Sequence, residues 1–122
     1  MSLRYCEGVV TAMIGLLSIS AAQAGNVDFT LVNGTGYDIQ EVYISAAARN
    51  RWGSDRLGDG LLAKHKSRLF TFSDKANCKQ DIKVVFKTTG NSYAWDNLDL
   101  CVLNKITLKY NPSKRTVWAV TE

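Results

Sequence analysis

Nearly half of the 122 residues are apolar and about one-fifth are charged, and there is no internal repeat and no linker, so the chain reads as one folded domain behind an export segment. Lysine and arginine outnumber aspartate and glutamate by four. That mild excess is compatible with anionic cell-surface material and also simply confers solubility. No nucleic-acid-binding motif is present, which excludes nucleic acid as the expected partner.

In chain order, residues 1–24 read as a cleavable signal peptide. A polar start carries Arg4, residues 9–19 are apolar, and Ala22-Gln23-Ala24 fits the small-x-small rule, placing the cut between Ala24 and Gly25. The apolar run has about half of the roughly 20 residues that a membrane-spanning helix needs. Glu7 is unusual in the charged zone, and Cys6 lies before the apolar run, not after it where a lipid-modified cysteine would sit. The expected product, residues 25–122, is a single bacterial β domain with no membrane anchor, monomeric, in the periplasm or outside the cell. Removing Cys6 leaves Cys78 and Cys101, and an even pair in an exported chain reads as a disulfide. Closing that loop stabilises the fold by about 3 kcal/mol in the chain-entropy model. Metal binding by the pair lacks further thiols or a histidine cluster, so no metal and no cofactor are expected.

Val27, Phe29 and Leu31 alternate with Asp28 and Thr30, the period of a half-buried strand. Asn33-Gly34-Thr35-Gly36 ends it, and residues 37–44 read as the return strand, with a phase shift near Gln40-Glu41 that a bulge would absorb. Residues 45–66 read as a long loop with a helical turn at Ala46-Ala47-Ala48, and a long structured loop is the first place to look for function. Residues 67–72 resume β character. The clearest strand spans residues 78–87, with Cys78, Gln80, Ile82, Val84 and Phe86 on one face. A turn at Thr88-Thr89-Gly90-Asn91 leads to Ser92-Tyr93-Ala94-Trp95, then Ile106, Leu108 and Tyr110 alternate, and Asn111-Pro112-Ser113-Lys114 turns into a last strand over residues 115–120. About seven short strands make the chain all-β: an antiparallel β-sandwich or a partly closed barrel.

Several fixed spacings stand out: Phe29-x-Leu31-x-Asn33-x-Thr35-Gly36, Trp52-Gly53-x-Asp55-x-Leu57-Gly58, Cys78-x-x-Asp81-Ile82, and Trp95 with Asn97-Leu98 and Cys101. On these the chain resembles a group of small signal-peptide-bearing bacterial proteins of unknown function, some of which carry the name argininosuccinate lyase without support. The resemblance spans nearly all of residues 25–122, and a proline is common in that group where this chain has Ala46. It implies export, the disulfide and a β fold, and it brings no active site.

His65, the sole histidine, sits between Lys64 and Lys66, where positive charge disfavours a bound cation. Asp55, Asp59, Asp81, Asp96 and Asp99 match no calcium-loop spacing and read as turn caps or ion-pair partners. Asp81, on a lysine-bearing strand face, is expected to fasten the long loop to the sheet. Trp118 is expected to pack. Trp52 in the loop, flanked by Arg51, Asp55 and Arg56, together with Trp95, supplies the candidate binding residues, suited to stack on sugars or anchor a protein. No catalytic residue is assigned. The sequence therefore reads as a non-enzymatic exported binding module for a protein or envelope polymer, an inhibitor or immunity-type protein being one specific form. The alternative is a small periplasmic hydrolase using Asp55 or Asp81 with His65.

Overall fold

The computed structural model describes residues 27–122. The expected signal segment and cleavage position, and Cys6, lie outside them. Among the described residues there are seven strands: β1 Phe29–Gly34, β2 Ile39–Ala46, β3 Ser67–Phe70, β4 Lys79–Phe86, β5 Ser92–Asp99, β6 Lys105–Asn111 and β7 Thr116–Thr121. They form a four-stranded sheet in the order β3-β1-β6-β7 and a three-stranded sheet in the order β2-β4-β5. The two sheets stack as a sandwich and do not close into a barrel. Four of the five strand pairings are antiparallel, and β1 runs parallel to β6, with Leu31 opposite Ile106.

Alternation along each strand decides which side chains face the other sheet. Phe29 and Leu31 of β1, Val42 and Ile44 of β2, Ile82, Val84 and Phe86 of β4, and Ile106 and Leu108 of β6 make the core. Each such side chain is worth about 1.5–3 kcal/mol relative to its exposed state. The face expected for β4 is the buried one, and Gln80 joins it by giving its side-chain N–H to the Asn77 carbonyl at 2.8 Å. Cys78 and Cys101 are disulfide-bonded with their Cα atoms 5.1 Å apart, closing the base of the β4–β5 hairpin.

Two bulges shape the smaller sheet. Gln40 is the extra residue of β2, at the expected phase shift: Ile39 faces Phe86, and Glu41 already faces Val85. In β5, Leu98 faces Gln80 and Trp95 faces Ile82, so Asp96 and Asn97 together oppose Asp81. Asn97 has φ 60°, a left-handed value that asparagine tolerates better than most residues.

Several expectations need correction. The turn after β1 carries the chain to the other sheet, so β2 is not a return strand beside β1. The alanines form no helix. Ala46 ends β2, and one turn closes with Arg49 N–H on the Ala46 carbonyl while Ala48 adopts φ 67°. Trp118 is 43% exposed, because β7 turns Val117 and Ala119 toward the core and Trp118 outward. Among the described residues the Asp81 side chain makes no hydrogen bond to the long loop, although Asp81 faces Ser45 in the β2–β4 register. Its carboxylate accepts the Asn97 N–H at 2.7 Å and so holds the β5 bulge.

Candidate functional site

At one end of the sandwich the inward-facing positions carry tyrosine where the middle carries leucine, isoleucine and valine. A tyrosine there keeps its ring on the core and its hydroxyl in water. Tyr110 ends the inner row of β6, Tyr93 begins that of β5, and Tyr37 lies in the link from β1 to β2. With Phe86, Val117, Thr88, Thr89 and Asn91 they line an open cleft of about 140 Å³. Tyr37 meets Tyr110 edge-to-face at 5.5 Å, and Phe86 meets Tyr93 likewise at 5.7 Å.

Local chemistry fixes each wall. Asn33, fully buried at the end of β1, gives its amide N–H groups to the carbonyls of Tyr37 (2.7 Å) and Leu62 (2.9 Å). Its Oδ1 accepts the Thr35 hydroxyl (2.6 Å) and the Thr35 N–H (3.2 Å). The Thr35 hydroxyl oxygen accepts the Tyr37 N–H at 3.2 Å, so the Tyr37 backbone is held from both sides. Opposite, the β4–β5 hairpin closes with Gly90 N–H on the Phe86 carbonyl and Phe86 N–H on the Asn91 carbonyl. Gly90 takes φ 75° there, which only glycine adopts without cost. The β6–β7 hairpin is set by Asn111 Oδ1, which accepts the N–H groups of Ser113 and Lys114.

The residues singled out in the sequence do not gather into one site. Asp55 Oδ1 accepts the N–H groups of Val42 at 3.0 Å and Leu57 at 2.9 Å, and Arg56 N–H reaches the Val42 carbonyl at 2.7 Å. The loop is thereby stitched along β2, with Leu57 buried. Arg56 lies over the Phe72 ring at 4.8 Å. Trp52 is half-buried near the outer face of the smaller sheet, where Lys83 Nζ sits 5.4 Å from its ring and 4.9 Å from that of Tyr43. Trp95 is on the opposite, inner face, against the core. Arg51 is exposed.

On that outer face the Tyr43 hydroxyl donates to Glu41, and this bond, with burial and the Glu41 and Asp55 charges, pushes the phenol up to about 12. His65 is exposed with φ 67°, its backbone N–H on the Asn33 carbonyl. Among the described residues no hydrogen bond joins its imidazole to Asp55 or Asp81, whose carboxylates bind backbone amides instead. Cys78, Asp99 and Cys101 lie close enough to ligate a metal, but the two sulfurs are bonded to each other and Asp99 accepts the Cys101 N–H.

The tyrosine cleft is not among the sites expected from the sequence. Its signal is present there: each of its three tyrosines lies within two residues of a Gly- or Asn-containing turn. Only the strand order shows that those turns share one end.

No family model matches the chain, and no curated protein matches it. In solved structures it is similar to a protein from Eubacterium rectale determined by NMR, with a TM-score of 0.58 at 12% identity, over 80% of this chain and 88% of the other. At that identity the likeness is one of fold.

Proposed function

We propose that the protein is a non-catalytic binding module of the periplasm or cell exterior that takes a sugar segment of an envelope polymer in the tyrosine cleft. The observation that carries this reading is the cleft lining: four aromatic rings edged by Thr88, Thr89 and Asn91. A sugar ring offers C–H faces that stack on aromatic rings and hydroxyls that pair with tyrosine, threonine and asparagine. The lining includes no carboxylate and no imidazole, which favours binding over hydrolysis. The address rests on the residue 1–24 pattern and is supported by the disulfide.

Titration of the labelled protein by NMR with envelope-derived oligosaccharides tests the reading. The amides of Tyr37, Tyr93, Asn91 and Tyr110 are expected to shift together. Tyr37→Ala, which removes a ring that is 48% exposed and so spares the core, is expected to weaken binding about tenfold, 1.4 kcal/mol. Shifts confined to the Trp52 face, or unchanged affinity in Tyr37→Ala, would overturn it. Binding to a protein through the exposed Trp118 face, with the cleft silent, would return the inhibitor or immunity form.

A further inference from the structure

We infer that the sugar chain taken by the tyrosine cleft is acidic; this rests on the reading of the cleft as a glycan site. The turns that build the cleft are also where cations collect. Lys87 separates the lining residues Phe86 and Thr88, Lys109 precedes Tyr110, and Lys114 with Arg115 occupies the hairpin between Tyr110 and Val117. Lys64 and Lys66 join them from the neighbouring turn, whose backbone bonds to Asp38 and Asn33. All six are exposed.

Opposing charge at this end is sparse. Asp38 turns its carboxylate onto the Lys64 N–H, and Asp59 is in the adjoining loop. Most other acids lie at the far end of the sandwich or beside the smaller sheet: Asp28, Asp74, Asp96, Asp99 and Glu122 cluster around the far strand ends, where Glu122 pairs with Lys105 at 3.5 Å. Among the described residues none of the six cleft-end cations forms an ion pair. The net positive charge of the chain is thus concentrated at the end of the sandwich that holds the aromatic cleft, although solubility alone would be served by charge spread anywhere. Rings supply the stacking platform, and unpaired cations on the strand ends and turns at the same end of the sandwich supply attraction that reaches about 8 Å at physiological salt. The ligand that satisfies both is a sugar chain bearing carboxylates.

The test compares trigalacturonate, a hyaluronan tetrasaccharide and a muramic-acid disaccharide, each with free and with methyl-esterified carboxylates. NMR titration of the Tyr37, Tyr93 and Tyr110 amides reads the affinity, with a hexathymidylate as the competing polyanion. At least one acid form is expected to bind about tenfold more tightly than its ester at low salt, the advantage shrinking as salt rises. Lys87→Gln/Lys109→Gln/Arg115→Gln, which changes three exposed side chains, is expected to cost the acid form about fivefold or more and leave the ester unchanged. Equal affinity of acids and esters would overturn the charge preference while leaving the cleft as a sugar site. Silence of the tyrosine amides toward every sugar would overturn the cleft reading itself. Tighter binding of the oligonucleotide than of any uronate would replace the sugar by nucleic acid and overturn the inference.

Discussion

Asp55 is the side chain whose removal should cost most for its size. One oxygen accepts two amides, those of Val42 and Leu57, at 3.0 and 2.9 Å. Val42 is fully buried and Leu57 only 5% exposed, so water cannot readily replace the carboxylate at either amide. Leaving a buried donor unpaired costs about 1–3 kcal/mol, so Asp55→Ala is expected to destabilise by about 3 kcal/mol. In a domain of this size that lowers the melting temperature by about 15 °C. Asp55→Asn keeps an acceptor oxygen in place and loses only the charge on it, for about 1 kcal/mol. Urea unfolding followed by both tryptophan fluorescence and circular dichroism measures each variant against the parent. A loss below about 1 kcal/mol for the alanine variant, or an asparagine variant as weak as the alanine one, would refute the assignment of Asp55 as the lock between loop and sheet.

Two more outcomes follow from the geometry. Absorbance at 295 nm should show Tyr43 ionising near 12, above the ordinary phenol value of 10, because its proton is held by Glu41. The unfolded chain loses that proton at about 10 while the folded one keeps it, so Tyr43 favours unfolding increasingly as pH rises from about 10 to about 12; Tyr43→Phe should lessen that part of the alkaline decline. Alkylation of residues 25–122 without reductant should find no free thiol, and Cys78→Ala/Cys101→Ala should unfold with about 3 kcal/mol less stability, read by urea denaturation.

What is legible in the sequence is what period-two burial encodes. Gln80, Ile82, Val84 and Phe86 announce their face, and the slip at Gln40 announces a bulge. The parallel pairing of β1 with β6 is not legible, because the two strands are some 70 residues apart in sequence and no local pattern records a partner so distant. For the same reason a turn after β1 cannot be told from a crossing between sheets. Of the spacings that stand out in the sequence, Trp52-Gly53-x-Asp55-x-Leu57 holds candidate binding residues, while Cys78-x-x-Asp81 reads as a disulfide cysteine and a fastener of the loop. In the fold both serve the architecture, since Asp55 and Leu57 pin the loop, Cys78 bridges to Cys101, and Asp81 holds a bulge. The cleft, by contrast, is made of tyrosines from three separate segments, each ordinary alone.

Asn33 precedes Gly34, the pairing in which an asparagine side chain most readily cyclises onto the next amide nitrogen and loses ammonia. In the folded chain that route is shut, since both amide hydrogens are given to carbonyls and the carbonyl oxygen is held by Thr35. Unfolding opens it. The product, an aspartate or isoaspartate, would aim a carboxylate at the Tyr37 and Leu62 carbonyls in a fully buried position, and the turn beside the cleft could not re-form as before. Each excursion to the unfolded state therefore carries a chemical clock, and the age of a molecule is written at the residue that shapes its cleft.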